Sequence, residues 1–175
     1  MKKDLLWAKT LLSVYRYLER LCSSIDKIIN RTGLSSINVN SQTFYYNNVY
    51  SITQRIIDLS HRKVTLINLK LLIEDILQKM RSNEAKCLIS RYVDGTKRRV
   101  MAEHESVSLR TIFRRIERAE NSFSKILQAK GYDEAKICKM LADEQWIHNV
   151  YNRLAEKDEE DFCLSSLFLQ RAVSI

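Results

Sequence analysis

The chain contains no proline and only three glycines among its 175 residues. Strands joined by tight turns need glycine, proline, asparagine and aspartate at short, regular intervals, whereas long helices tolerate the absence of proline well. The glycines, Gly33, Gly95 and Gly131, lie far apart, which also excludes a glycine-rich phosphate loop. The sequence therefore predicts an all-α protein in which the glycines mark the ends of helices.

Residues 1–82 have the pattern of two long helices. The first is expected to have Asp4 as its N-cap and to end at Gly33. Its apolar residues recur at alternating steps of four and three, which is a heptad-like seam typical of helices that pack along their length. The seam contains Trp7, Leu11, Val14, Leu18, Leu21, Ile25 and Ile28.

A polar stretch, LSSINVNSQT, predicts a loop before the second helix, which is expected to start between Phe44 and Val49 and to break near Ser60. Its seam has the same steps and contains Val49, Ile52, Ile56, Leu59, Lys63, Leu66, Lys70, Ile73, Leu77 and Met80. The residues that widen it are Ile57, Ile67, Leu71 and Ile76. Two such helices predict a long N-terminal hairpin, either packed within one chain or forming one side of a homodimer.

Residues 83–131 are predicted to form three shorter helices. Their expected N-caps are Ser82 or Asn83, then Thr96, then Ser108. The first is expected to end at Gly95 and the third at Gly131. The third helix has one apolar face, whose expected core residues are Leu109, Ile112, Ile116, Ala119, Phe123 and Ile126 or Leu127.

Residues 132–175 are predicted to form one C-terminal helix, capped by Asp133, and an acidic tail. The apolar face of this helix contains Ile137, Leu141, Trp146, Ile147, Val150 and Leu154. The run EKDEEDF is expected to be a solvated linker.

The centre of the chain has the layout of a helix-turn-helix, in which the second helix enters the major groove of DNA. Between Thr96 and Ala119 there are seven Lys or Arg residues and three Glu residues, and the small Ala102 permits close helix packing. Expected base contacts come from Arg110, Thr111, Arg114 and Arg115. Expected phosphate contacts come from Lys97, Arg98, Arg99, Ser108 and Arg118.

The charge distribution favours the same class of partner. The formal net charge is +8, with Lys and Arg exceeding Asp and Glu by seven in residues 1–82 and by five in residues 83–132. Residues 133–175 carry a net charge of −4. A basic body with an acidic tail predicts a polyanionic partner, here double-stranded DNA.

The stretch EAKCLISRYVDGTKRRVMAEHESVSLRTIFRRIERA resembles region 4 of bacterial sigma factors over about a quarter of the chain. That region has a helix ending in R-Y-x-x-G, a short E-[IVM]-A-E helix, a V-S turn and the pattern T-[IV]-x-R-x-[LI]-x-R-A. The matching residues are Arg91, Tyr92, Gly95, Met101, Ala102, Glu103, Val107, Ser108, Thr111, Ile112, Arg114, Ile116, Arg118 and Ala119. The position of the family's turn glycine holds Ser106, and the preceding leucine position holds Glu105.

Long helices directly before the helix-turn-helix are more similar to phage-type sigma-like regulators than to complete sigma factors. Residues 1–82 show no convincing counterpart of region 2, which binds core RNA polymerase in that family. The resemblance therefore implies a sequence-specific DNA-binding transcription regulator. Two alternatives remain open: a small alternative sigma factor that binds core RNA polymerase, and a helical adaptor that binds another protein.

Catalytic and membrane functions are not expected. His61, His104 and His148 are scattered, with no metal-ligand or nucleophile motif, so we expect no enzyme activity, metal or cofactor. No window of 18 uninterrupted apolar residues predicts a membrane span, and the first 20 residues have the pattern of an amphipathic helix and not of a signal peptide. The four cysteines form no CxxC pair, which together with the other features predicts a cytoplasmic protein.

Overall fold

A computed structural model describes residues 3–35 and 42–156. Within these residues the chain forms seven α-helices and no strand, which confirms the all-α prediction. The helices are α1 (Lys3–Ser35), α2 (Gln42–Lys79), α3 (Ser82–Leu88), α4 (Arg98–His104), α5 (Leu109–Ala129), α6 (Glu134–Met140) and α7 (Gln145–Glu156). A π-helical turn, Ile89–Val93, continues α3.

Helices α1 and α2 lie side by side and run in opposite directions. The Tyr15 hydroxyl donates a 2.9 Å hydrogen bond to the Glu74 carboxylate. Further along α1, Asp26 accepts a 2.6 Å ion-paired hydrogen bond from Lys63, which precedes Glu74 on α2. Burial and the neighbouring Glu74 raise the pKa of Tyr15 to about 12, so this hydroxyl remains a donor at neutral pH.

The apolar seams pack as predicted on α1 and only partly as predicted on α2. The most deeply buried members of the first seam are Trp7, Leu11, Val14, Leu18 and Ile25. The buried members of the second are Leu59, Leu66, Ile73 and Met80. However, Ile57, Ile67 and Leu71 are exposed, and only Ile76 of the four widening residues is buried. One side of α2 is buried because α1 and α5 contact it, whereas the other side of α2 faces solvent.

One main core receives residues from α1, α2, α5, α6 and α7, and hence from all three predicted segments. Trp7 is almost fully buried in it, and its ring lies 4.4 Å from the Tyr151 ring and 5.7 Å from the His148 ring, measured between centroids. Such close aromatic packing attaches α7 firmly to α1.

Several predicted helix ends are wrong by a short distance. Asp4 and Gly33 lie inside α1, and α2 begins at Gln42 without a break at Ser60. The N-cap positions of α3 and α4 are Arg81 and Lys97 instead of the polar residues next to them, and neither side chain caps its helix. The predicted ends at Gly95 and Gly131 fit the structure, since both have the positive φ that favours glycine after a helix.

The predicted single C-terminal helix is two helices, α6 and α7, which meet at a turn before Glu144. Asp133 caps α6 as predicted, accepting a 2.8 Å hydrogen bond from the backbone N–H of Lys136. Glu144 is buried, and its carboxylate accepts 3.0 Å and 3.2 Å hydrogen bonds from Arg62 and a 2.7 Å bond from the Trp146 indole. This turn lets the carboxylate reach α2, which a continuous helix would prevent.

The acidic tail and Cys163 lie outside the described residues. Cys22, Cys87 and Cys138 are free thiols. Across residues 3–35 and 42–156, no helix is long and apolar enough to cross a membrane.

Candidate nucleic-acid interface

A tight turn connects α4 to α5 and ends α4 with a left-handed residue. Ser106 has a φ of 52°, the only positive φ of a non-glycine residue in the part of the chain that the structure describes. The Val107 N–H donates a 3.0 Å bond to the Ala102 carbonyl, and the Ser106 N–H donates a 3.2 Å bond to the Glu103 carbonyl. This pattern is a Schellman motif, which satisfies the last carbonyls of a helix and reverses the chain.

Replacing Ser106 with glycine is expected to raise the free energy of unfolding by about 1 kcal/mol, because a residue with a Cβ atom is strained in this region. Ser23→Gly, at an exposed position inside α1, is the matched control and is expected to lower it by about 0.5 kcal/mol. Chemical denaturation measures the free energy of unfolding of both variants. A destabilised Ser106→Gly variant would contradict the turn geometry.

The packing between α4 and α5 forms a small apolar cluster apart from the main core. Its buried members are Cys87, Met101, Ala102, Ile112 and Ile116, with Val107 packed against them. The predicted role of Ala102 fits this arrangement, since a small side chain lets the two helices approach closely. The cluster fixes which side of α5 faces α4 and therefore which side faces solvent.

The start of α5 is fixed by the predicted cap. The Ser108 hydroxyl accepts a 3.2 Å hydrogen bond from the Thr111 backbone N–H and lies 2.8 Å from the Thr111 hydroxyl. Both predicted contact residues therefore already bond each other, with Ser108 exposed and Thr111 half-buried. Their hydroxyls keep spare lone pairs and protons for a ligand.

Three predicted contact residues form a cationic stripe on the exposed face of α5. Arg110, Arg114 and Arg118 are four residues apart, and all three are exposed. Among the described residues, no carboxylate oxygen lies within 4 Å of their guanidinium groups. The opposite face holds the buried Ile112 and Ile116. We call the three arginines the α5 stripe.

Two of the remaining predicted contact residues, Arg99 and Arg115, have carboxylate partners within the protein. Arg115 forms an ion pair with Glu105, which joins α5 to the turn. Arg99 lies 3.7 Å from Glu103, although both side chains are highly exposed. Such exposed pairs are weak and leave the charge available to a stronger anion. Lys97 is exposed at the N-cap position of α4.

Arg98 is half-buried and packs on α5. Its guanidinium carbon lies 4.5 Å from the centre of the Phe113 ring, and its Nε is buried without a hydrogen-bond partner in the protein. Sequence reasoning missed this contact, because Arg98 and Phe113 belong to different helices and neither pattern indicates the other. A basic residue early in α4 and an aromatic residue early in α5 are the only available signals.

Leu109, predicted to face the core, is instead 45% exposed, and Phe113 beside it is 39% exposed. The prediction failed because Ile112 and Ile116 already fill the space against α4. The main core receives α5 only from Ala119 onward.

A buried polar contact attaches α5 to the rest of the protein. The Tyr92 hydroxyl, in the π-helical turn, donates a 2.6 Å hydrogen bond to Glu120 Oε1. The other carboxylate oxygen of Glu120 lies 3.5 Å from Lys9 Nζ on α1. Burial and the adjacent carboxylate hold the pKa of Tyr92 well above its usual value. This buried ion pair therefore links α1 to the helix that carries the α5 stripe.

In residues 3–35 and 42–156, no group of three or more His, Cys, Asp or Glu side chains is arranged to hold a metal ion. His104 is exposed near the turn. Comparison of the chain with models of protein families, with curated proteins and with solved structures finds no match.

Proposed function

We propose that the protein is a sequence-specific DNA-binding transcription regulator. In this proposal α4, the Ser106 turn and α5 form a helix-turn-helix, and α1 and α2 form a hairpin that supports it. The observation that carries the proposal is the α5 stripe. Three exposed arginines, which have no carboxylate partner among residues 3–35 and 42–156, follow one face of a helix whose other face is packed on a shorter helix, and this combination suits the major groove.

The first two arginines of the stripe are proposed to read bases. In a helix-turn-helix the N-terminal part of the second helix meets the base edges. Arg110 and Arg114 lie in the first two turns of α5. A guanidinium group can donate two hydrogen bonds to the O6 and N7 atoms of guanine, a pattern found at no other base in the major groove. We therefore assign guanine recognition to these residues.

The phosphate contacts are proposed to come from both helices. Lys97 and Arg99 are exposed at the start of α4, the helix that crosses the DNA backbone in this architecture. Arg118 lies one turn beyond Arg114, where the helix leaves the groove. Contacts of this kind position the protein without reading sequence.

Replacing Arg114 with alanine is expected to weaken binding to the preferred duplex by roughly 1–3 kcal/mol and to relax the preference at one base pair. Lys97→Ala is expected to weaken binding to all duplexes alike and to reduce the log–log salt slope by about 0.9. The duplexes are one selected from a random pool by the purified protein and a scrambled version of it. Titrations at several salt concentrations measure both effects.

Arg153→Ala is the matched control, since Arg153 is an exposed arginine on α7. It is expected to leave affinity for both duplexes unchanged apart from a small effect of net charge. Equal losses for Arg114→Ala on the selected and the scrambled duplex would contradict base recognition by α5. The absence of any selected duplex would contradict the proposed function itself.

The alternative of a protein-binding adaptor is favoured by one observation, the outer face of α2. Ile57, Val64, Ile67 and Leu71 are 41%, 54%, 37% and 56% exposed and follow heptad-like steps on that face.

The inner seams are buried within the chain, so a homodimer through the N-terminal helices would also have to use this face. Light scattering of the wild type and of Val64→Asp tests the homodimer: a dimer that the substitution converts to a monomer supports it, and a wild-type monomer contradicts it.

A further inference from the structure

Two apolar side chains are exposed at the end of α5 that the proposed function places in the major groove. Leu109 and Phe113 are one helical turn apart in the first two turns, and they are 45% and 39% exposed. Neither is needed to fill the cluster beneath α5, which Ile112 and Ile116 occupy. The exposed parts of both side chains are apolar surface that a ligand could remove from water, which would be favourable.

The surroundings of this apolar pair match a polyanion. Arg98 covers one face of the Phe113 ring at 4.5 Å. Arg110 and Phe113 are three residues apart on α5, so the exposed Arg110 is a surface neighbour of this apolar pair. Such a patch favours a ligand that carries apolar groups inside a negatively charged frame.

Two of the nearby carboxylates have an arginine beside them on the protein surface. Glu103 and Glu105 lie next to Arg99 and Arg115, respectively. The exposed Glu117 lies one turn beyond Phe113 and is the carboxylate that a DNA ligand would have to accommodate.

The base edges of the major groove contain one apolar group, the C5-methyl group of thymine, and phenylalanine and other apolar side chains contact it in protein–DNA complexes. We infer that Phe113, together with Leu109, recognises the methyl group of a thymine beside the base pairs read by Arg110 and Arg114. This inference rests on the proposed function and adds a residue that determines specificity for thymine.

The test removes the methyl group and nothing else. In the duplex selected from a random pool, each thymine is replaced in turn by uracil, which keeps the Watson–Crick pairing and the O4 acceptor. At one position the wild-type protein is expected to lose about fourfold in affinity, because burial of one methyl group contributes about 0.8 kcal/mol. The other positions are expected to show no change.

Phe113→Ala is expected to bind the thymine and uracil duplexes equally, with the affinity for the thymine duplex reduced. Leu109→Ala is the second variant, and it is expected to reduce the preference for thymine in part. Thermal unfolding of both variants is measured beside the titrations. Since both side chains are partly exposed and lie outside the two apolar cores, we expect only small decreases in melting temperature.

Three results would overturn the inference while leaving the proposed function intact. They are a selected duplex without thymine, a wild-type affinity that no uracil substitution changes, and an equal loss with uracil in the wild type and in both variants. Failure to select any duplex, or equal affinity for selected and scrambled duplexes, would instead contradict the proposed function. The two failures are therefore distinguishable in one set of titrations.

Discussion

Replacing Glu120 with alanine is expected to lower the free energy of unfolding by about 3–5 kcal/mol, the usual cost of removing one partner of a buried ion pair. Glu120 is 3% exposed, and its carboxylate accepts the Tyr92 hydroxyl at 2.6 Å and lies 3.5 Å from Lys9 Nζ. The Lys9 side chain is 12% exposed, so after the change its charge would lie in the interior without this counter-ion. Equilibrium unfolding in urea, followed by two spectroscopic probes, measures the loss.

The control for this change is Glu117→Ala, which removes the same side chain from an exposed position one turn earlier on α5. Its effect is expected to stay within about 0.5 kcal/mol. Glu120→Gln keeps an acceptor for Tyr92 but removes the negative charge, so it separates the hydrogen bond from the ion pair. If Glu120→Ala were as stable as Glu117→Ala, the attachment of α5 would not depend on this contact.

The same contact links stability to the proposed DNA contacts. Tyr92 lies in the π-helical turn, Lys9 on α1 and Glu120 on α5, so three elements meet at one carboxylate. The α5 stripe is on the same helix as Glu120. A loosened α5 would present its arginines in a wider range of positions, and DNA affinity would fall because the ordering cost is then paid on binding.

The features that could be predicted from the sequence are those encoded by local periodicity. The α1 seam is buried from Trp7 to Leu18 because apolar residues repeating every 3.5 positions must lie on one side of a helix. The caps at Ser108 and Asp133 are found as predicted, since each cap is a contact between residues three apart. Such contacts need no knowledge of the tertiary structure.

The features that could not be predicted depend on residues distant in the sequence. Arg62 and Glu144 are 82 positions apart, and no pattern in either helix indicates their contact or the turn that it requires. Leu109 shows the related limitation. Its spacing fits the buried face of α5, but how many turns of that face are covered by another helix depends on where α4 ends. The residues named for the α5 stripe followed from helical spacing, whereas the Arg98–Phe113 contact required the structure.

The largest loss of stability is expected for Leu18→Asp, at the centre of α1. Leu18 is fully buried in the main core. The substitution removes its packing and places a carboxylate in the main core, which together should cost about 4 kcal/mol or more. Since small proteins have a total stability of about 5–15 kcal/mol, we expect a lower melting temperature or a chain that is largely unfolded at room temperature.

Ser24→Asp is the matched control for this change, because it introduces the same charge at an exposed position on the same helix. It is expected to leave the melting temperature nearly unchanged. Circular dichroism measures the melting temperature of both variants. It also detects a variant that is already unfolded, because such a variant lacks the helical signal. Equal melting temperatures for the two variants would show that this side of α1 faces water in solution, and the packing of α1 against α2 and α5 would have to be abandoned. In that case α5 would also lose the support on which the proposed DNA interface depends.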